Sequence, residues 1–247
     1  MLGTRQRGLV VEQLLRSQLA SINTFQTPSG SHLSPSDSAI ESGIDALCSM
    51  DDDGLIQTNQ KIFDLLILGK SVKQVAEGQN IHPQLNFIDW AEPQNNIYHV
   101  TEEFVVEREN LNEPTKHRIP DLVLFVNGIP LCVIECKAPD IGYAEGISQM
   151  IRNQKTGEIP RLFWFSQLLL SVDHDGGRYA TTGTPAEFWA EWRERFDNYA
   201  LQEIINHPLP DHVATKIESV PNKIRRHESI VTREQYGRQV TGQDRLI

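Results

Sequence analysis

Two carboxylates and one lysine near the middle of the chain have the types and the spacing that phosphodiester hydrolysis requires. Pro120-Asp121 opens one apolar run, and Glu135-Cys136-Lys137 ends the next. Mg²⁺ prefers oxygen ligands and is often held by one or two carboxylates with water and substrate phosphate. Asp121, Glu135 and the backbone carbonyl of Cys136 could supply such oxygens to Mg²⁺, or to Mn²⁺ in its place. Lys137 could orient or stabilise an attacking hydroxide.

The spacing of Glu135 and Lys137 places both side chains on one face of a strand, because residues two apart in a strand share a face. Cys132, Ile134 and Cys136 would then point into packing on the other face. A Glu-x-Lys pair taken alone more often marks the exposed end of a strand. Because a Pro-Asp pair lies one hairpin upstream and both strands are apolar, we favour a metal site, which would offset the cost of burying these charges.

The hairpin between the two apolar runs decides whether Asp121 can join this site. The segments 121–126 and 130–137 flank Asn127-Gly128, which is a strong hairpin signal. A loop of only these two residues would pair Asp121 with Ile134 and place it on the face opposite Glu135. We therefore predict a three-residue loop, either 126–128 with a bulge at Gly128 or 127–129, and not a tight two-residue turn.

Predicted helices and strands lie on both sides of this hairpin in the sequence, and their order predicts an α/β sheet with helices on its faces. Gly69 is expected to cap the C-terminal end of the helix predicted at 57–68. The last forty residues are rich in lysine and arginine, and they are either a solvated helical connector or an element that contacts the DNA backbone. Helices are predicted at 6–22, 38–49, 57–68, 143–155 and 185–197, and strands at 85–90, 97–107, 121–126, 130–137, 161–165 and 168–172.

Composition limits the classes of function. The net charge of −10 over 247 residues argues against a surface that binds nucleic acid everywhere, but it allows one local site. No run approaches the roughly 20 apolar residues of a membrane span, and three scattered cysteines fit a reducing cytoplasm. Gly69-Lys70-Ser71 resembles the end of a phosphate-binding loop, but the required upstream glycine is missing, so no ATP site is predicted in this chain.

Four blocks in order give the chain a family resemblance. Together they resemble the nuclease region of the restriction subunit of Type I restriction enzymes, in the PD-(D/E)xK superfamily, over about residues 55–195. The blocks are FIDWAEPQNNIYHVTEEFVVE (87–107), HRIPDLVLFVNGIPLCVIECKAP (117–139), AEGISQMIRNQ (144–154) and IPRLFWFSQLLLSVD (159–173).

The resemblance implies a restriction-endonuclease-like core with a mixed central sheet flanked by helices and preceded by N-terminal helices. Residues 1–70 would form the helical part packed on the core, 71–207 the nuclease core, and 208–247 a helical connector. That connector would lead toward an ATP-driven motor that this chain lacks. Family members continue into such a motor, and VTGQDRLI at the end of the chain resembles the approach to it.

The resemblance also assigns roles to individual residues. Asp121, Glu135 and Lys137 correspond to the catalytic triad. Gln149 matches the glutamine of a Gln-x-x-x-Tyr motif, while Asn153 stands where the tyrosine is expected. Gln149 would assist catalysis, and Glu12 is a candidate for the acidic residue that many such nucleases carry on the first helix. The candidate DNA contacts are Arg118, Gln149 and Arg152.

These residues predict a Mg²⁺-dependent endonuclease domain acting on double-stranded DNA in the cytoplasm. Its expected partners are methyltransferase and specificity subunits, with no membrane, and ATP would serve only the motor of the full-length subunit. Two alternatives remain. One is a non-catalytic docking or scaffold domain of the same complex, against which the intact Asp121, Glu135 and Lys137 set counts. The other is a free-standing repair nuclease of the same fold, which a longer reading frame with a Walker motif would exclude.

Overall fold

The computed structural model describes residues 8–110, 112, 116–138, 141–173 and 176–193. Its helices are α1 (Glu12–Ile22), α2 (Asp37–Cys48), α3 (Leu55–Leu68), α4 (Tyr143–Asn153) and α5 (Pro160–Phe165), with 3-10 turns at Pro93–Asn95 and Ala186–Phe188. Short two-stranded pairs are formed by β1 (Phe25–Gln26) with β2 (His32–Leu33), β3 (Lys70–Ser71) with β6 (Gln84–Leu85), β4 (Gln74–Ala76) with β5 (Gln79–Ile81), and β8 (Val106–Glu107) with β9 (His117–Arg118).

A six-stranded mixed sheet forms the centre of the molecule, in agreement with the predicted α/β class. The pair β11–β12 is parallel and the other neighbouring pairs are antiparallel. Because parallel neighbours need a crossover, the chain passes through α4 and α5 between β11 and β12. The strands in spatial order are β7 (Tyr98–Glu102), β10 (Leu122–Val126), β11 (Ile129–Cys136), β12 (Leu168–Val172), β13 (Gly177–Ala180) and β14 (Ala190–Glu191).

The two faces of this sheet pack differently. The face under α4 and α5 contributes to a large apolar core, which includes Val123, Phe125, Val133, Leu169, Ile147, Met150, Leu162 and Phe163. The opposite face carries a smaller cluster, Cys132, Leu170 and Val172. A third cluster unites α1, α2 and α3 with Ile129, Trp164 and Phe165. The crossover helices therefore cover the face on which Val133 and, two residues later, Glu135 lie.

The helices predicted at 38–49 and 57–68 are confirmed within two residues as α2 and α3. Gly69 ends α3 with a φ of 71°, and its N–H donates to Leu65, as the cap prediction required. The first predicted helix, 6–22, is shorter than expected: α1 begins at Glu12, and residues 6 and 7 lie outside the described residues. The helix predicted at 143–155 is confirmed as α4.

The predicted three-residue hairpin loop is wrong. Val126 faces Ile129, so the loop is the tight Asn127-Gly128 turn, with φ values of 52° and 85°. The odd shift of register lies inside the strands instead. Phe125 faces Pro130 and Leu124 faces Cys132, which leaves Leu131 as a bulge. Pro130 has no N–H for the ladder, so the irregularity falls beside it.

Three further predictions of elements are wrong. The segment 85–90 is strand only at its start, because Asp89 and Asn96 side chains bind nearby backbone groups and hold a turn. The segment 161–165 belongs to helix α5, which begins at Pro160. The helix expected at 185–197 is a 3-10 turn followed by edge strand β14, with Trp189 buried between them; its last four residues lie outside the described residues.

Strand 97–107 divides into β7 and β8, because Glu103 adopts a φ of 49° between them. Lys70 and Ser71 follow a helix rather than a strand, unlike a phosphate-binding loop. The predicted connector 208–247 and residues 194–207 of the predicted core lie outside the described residues. In the part of the chain that the structure describes, no helix is long and apolar enough to cross a membrane.

Candidate active site

The bulge at Leu131 brings Asp121 and Glu135 to one face of the sheet. Leu122 faces Ile134 in the register of β10 and β11, so Asp121 and Glu135 occupy the next opposed positions. An Oδ atom of Asp121 accepts a hydrogen bond of 2.8 Å from the backbone N–H of Cys136. Two carboxylates thus lie side by side where β10 begins and β11 ends, although the three-residue loop that was predicted to align them is not formed.

Glu135 is the buried member of this pair. Its exposed fraction is 0%, whereas the Asp121 side chain is 39% exposed. Burial raises the pKa of Glu135 from an ordinary 4.5 to about 7, and the negative charge of Asp121 adds to the rise, while Lys137 opposes it. Among the described residues, Oε1 of Glu135 has no hydrogen-bond partner. A buried acceptor without a hydrogen bond costs free energy, so the site favours a proton or a cation at Oε1 of Glu135.

Lys137 lies between the two carboxylates and the crossover helix. Its Nζ donates to Oε2 of Glu135 at 3.0 Å and to Oε1 of Gln149 on α4 at 3.0 Å, and it lies 3.7 Å from Oδ2 of Asp121. The Lys137 side chain is only 12% exposed. The structure therefore brings together the four residues predicted to be catalytic, and Gln149 contacts the lysine directly.

Cys136 was predicted to turn its side chain into packing and to offer its backbone carbonyl to a metal. Its thiol is exposed, so the packing prediction is wrong for Cys136, whereas Cys132 is buried as expected. Burial of neighbouring surface and the adjacent Asp121 carboxylate raise the pKa of the Cys136 thiol to about 11, so it remains a neutral thiol. The role of its carbonyl stays a prediction.

The donor set at this site fits a hard divalent cation of low protein coordination. No group of three or more histidine, cysteine, aspartate or glutamate side chains suited to a metal occurs among the described residues. The site offers two carboxylates, and one of them has a buried oxygen that lacks a partner among the described residues. Mg²⁺ is often held by only one or two protein carboxylates when waters and phosphate complete its coordination shell.

The predicted DNA-binding arginines have partners outside the cluster of Asp121, Glu135 and Lys137. Arg118 donates two hydrogen bonds to the Glu158 carboxylate, at 2.7 and 3.0 Å, and Arg108 adds a third at 3.1 Å. The hydrogen bond from Arg118 is the main cause that lowers the pKa of Glu158. The Arg152 guanidinium donates to Asn153, which is buried where the resemblance expected a tyrosine. Contact of these arginines with DNA stays a prediction.

Glu12, the candidate acidic residue of the first helix, lines a separate cavity between the N-terminal helices and α5. Asp45, Cys48, Arg161 and Trp164 line the same cavity. Sequence reasoning did not single out two polar residues, Ser171 of β12 and Asp173, which directly follows that strand. Ser171 faces Glu135 in the register of β11 and β12. The side chains of Ser171 and Asp173 both form hydrogen bonds with the backbone of Tyr143, the first residue of α4. A serine inside an otherwise apolar strand, followed two residues later by an aspartate at the end of that strand, was the available signal.

Comparison of the sequence with known proteins identifies the family of the chain. The family described as "Type I restriction enzyme R protein N terminus" matches residues 3–188, and the chain belongs to this family. The chain is 25% identical over 188 residues to the "Type I restriction enzyme HindI endonuclease subunit" of Haemophilus influenzae, which covers 75% of the chain and 16% of that protein.

A second relative comes from Methanocaldococcus jannaschii. The chain is 30% identical over 130 residues to its "Putative type I restriction enzyme MjaIXP endonuclease subunit", which covers 52% of the chain and 12% of that protein. The matched regions thus span about one eighth to one sixth of the length of these relatives.

Proposed function

We propose that this chain is the metal-dependent nuclease module of a Type I restriction–modification complex, with a PD-(D/E)xK-type core, and that it hydrolyses phosphodiester bonds of double-stranded DNA. The observation that carries the proposal is the buried Glu135 carboxylate, which lies beside Asp121 and Lys137 and keeps one oxygen without a partner among the described residues. A purely structural carboxylate would be expected to have both oxygens bound.

Asp121, Glu135 and the Cys136 carbonyl would hold Mg²⁺, or Mn²⁺ in its place. The metal would supply positive charge for the developing phosphorane and a bound water of lowered pKa. Glu135 would shed its proton on binding, because a nearby cation reverses the effect of burial on the pKa of that carboxyl. The exposed edge of Asp121 gives the DNA phosphate access to the site.

Lys137 would orient the attacking hydroxide and stabilise its charge. Its ammonium donates hydrogen bonds to Glu135 and to Gln149, which use two of its three N–H groups. The third N–H group would donate to the nucleophile or to the phosphate. Gln149 would keep the lysine in this position. Arg152, exposed on the turn of α4 that follows Gln149, and Arg118 are the proposed contacts to the DNA backbone.

The partners of this module would be the methyltransferase and specificity subunits of the complex, in the cytoplasm, and site recognition would belong to the specificity subunit. ATP would serve a motor domain of the longer subunit, as the relatives are several times longer than this chain. The chain itself is expected neither to bind nor to hydrolyse ATP.

The proposal is tested by cleavage of plasmid DNA with Mg²⁺, using the assembled restriction enzyme that carries this chain. Glu135→Ala and Lys137→Ala are each expected to lower cleavage by roughly 10²-fold or more, since both remove charge stabilisation at the reacting phosphate. Lys61→Ala is the matched control, because Lys61 is an exposed lysine of α3 that forms an ion pair with the exposed Asp53. Cleavage by Glu135→Ala at the wild-type rate would overturn the proposal and favour the docking-domain alternative.

A further inference from the structure

The first residue of α4, Tyr143, is held to the end of the sheet at four points. Its backbone C=O accepts a hydrogen bond from the Ser171 hydroxyl at 2.7 Å, and its N–H donates to Asp173 at 2.7 Å. Its ring lies 4.5 Å from the Arg178 guanidinium, and its hydroxyl accepts from the same arginine at 3.2 Å. Helix α4 therefore begins at a fixed point above β12 and β13.

The anchored end of the helix is the part that covers Glu135. Ser171 faces Glu135 across the β11–β12 pair and has an exposed fraction of 0%. Gly146, one turn after Tyr143, fits against both residues. A Cβ added to Gly146 would lie 2.2 Å from the Ser171 hydroxyl and 3.3 Å from the Glu135 Cβ. Only a residue without a side chain lets the helix approach the site this closely.

The same helix then delivers Gln149 to Lys137. Residues three or four apart on a helix share a face, so Gly146, which packs on Ser171 and Glu135, is a neighbour on the helix surface of both Tyr143 and Gln149. Gln149 accepts a hydrogen bond of 3.0 Å from Lys137, and a shift of this part of α4 would change that distance. Asp173 also occupies the N-terminal end of α4, where a carboxylate stabilises the helix through its dipole.

We propose that Ser171 and Asp173 are positioning residues for the nuclease site: by binding the backbone of Tyr143 they fix α4, so that Gln149 holds Lys137 against Glu135. This inference rests on the proposed function. Neither residue touches the reacting atoms. Their effect is transmitted through Gln149, and this distinguishes them from side chains that only stabilise the fold.

The test is a double-mutant comparison of Ser171→Ala, Asp173→Asn and Gln149→Ala. In assembled enzyme, each single substitution is expected to lower the cleavage rate per folded molecule roughly tenfold, since small misplacements of a catalytic group are costly. In the Gln149→Ala background, Ser171→Ala is expected to cause no further loss, because its effect passes through Gln149. Losses that multiply would overturn the proposal.

Hydrogen exchange of the 247-residue chain gives a readout that does not depend on cleavage. Ser171→Ala and Asp173→Asn are expected to increase exchange at the backbone amides of 143–150, and unchanged exchange there would also overturn the proposal. Ser166→Ala is the matched control, because Ser166 is equally buried and donates to a backbone carbonyl of α5. It is expected to lower stability without altering cleavage per folded molecule.

The outcome separates this inference from the proposed function. If Glu135→Ala abolishes cleavage while Ser171→Ala and Asp173→Asn cleave at the wild-type rate, the positioning role fails and the nuclease assignment stands. If Glu135→Ala cleaves normally, the nuclease assignment itself fails.

Discussion

Two glutamates, Glu135 on β11 and Glu158 in the segment between α4 and α5, have opposite environments. Glu158 is 13% exposed, and its oxygens accept three hydrogen bonds from Arg108 and Arg118, which lower its pKa. Glu135 is fully buried, shares its surroundings with a second carboxylate, and has a raised pKa. The first carboxylate is satisfied within the fold. A cation beside Lys137 would stabilise the ionised form of the second carboxylate, and this difference separates a structural ion pair from a candidate metal site.

The largest expected effect is on DNA cleavage, which should depend on the charge of Glu135 and not on the charge of Glu158. Glu135→Gln keeps the shape of the side chain but removes its charge, so we expect cleavage by assembled enzyme to fall roughly 10²–10³-fold. Glu158→Gln is expected to leave cleavage per folded molecule within about twofold. Plasmid cleavage with Mg²⁺ measures both variants. An equal loss in the two variants would remove the contrast between the two regions.

The second prediction concerns stability. Glu158→Gln removes the carboxylate charge that accepts hydrogen bonds from two guanidinium groups, so we expect the free energy of unfolding to fall by about 2–4 kcal/mol at pH 7. Glu135→Gln is expected to raise it in the absence of metal, since a neutral amide replaces a poorly solvated carboxylate. Urea unfolding followed by circular dichroism gives both values. Destabilisation by Glu135→Gln would show that its charge already has sufficient partners.

The third prediction is a pH dependence of opposite sign at the two sites. Because the pKa of Glu135 is raised to about 7, its contribution to stability is complete below pH 4.5 and is lost as the pH rises to about 7. A loss of about 1–3 kcal/mol is expected over this interval in EDTA, since one unit of pKa corresponds to roughly 1.4 kcal/mol. Glu135→Gln should abolish it.

The Glu158 contribution runs the other way. Its pKa is lowered, so the stability that it provides is present above its ordinary pKa and is lost only as the pH falls further into the acid range. Unfolding curves of Glu158→Gln and wild type should therefore converge at low pH. Curves that remain apart by a constant amount down to acid unfolding would contradict this.

The smallest expected effect belongs to Gln149. Its amide oxygen orients Lys137 but is not expected to hold the metal, so Gln149→Ala should lower cleavage roughly tenfold and leave Mg²⁺ affinity unchanged. Ser148→Ala, on the exposed side of the same helix, is the control. A tenfold loss of Mg²⁺ affinity in Gln149→Ala would instead make Gln149 part of the metal site.

The sequence predicted the chemistry of the site better than its geometry. Asp121, Glu135 and Lys137 were identifiable because charged residues at the ends of apolar strands need a reason to be there. The required shift of register was also predictable, but its position was not. The turn took the Asn-Gly form that its residues favour, and the missing N–H of Pro130 moved the irregularity to Leu131.

The residues that depend on the crossover were out of reach. Ser171 and Asp173 reach Tyr143 only because β12 lies parallel to β11 in one register, which the packing of α4 and α5 decides. The segment 161–165 was predicted as a strand, so α5 was not recognised as part of the connection between β11 and β12. An apolar run of five residues fits a strand or a buried helix equally well. In the same way, nothing in the sequence linked Arg118 to Glu158, forty residues away.

The most direct test of the account is calorimetric titration of the 247-residue chain with Mg²⁺ near pH 6.5. Wild type and Glu158→Gln are expected to bind one Mg²⁺ per chain and to release protons on binding, because the pKa of Glu135 lies at about 7 in the metal-free site. Glu135→Gln is expected to lose both the binding and the proton release. Binding by Glu135→Gln with wild-type affinity, or binding by wild type without proton release, would contradict the assignment of Glu135 as the carboxylate that holds the metal.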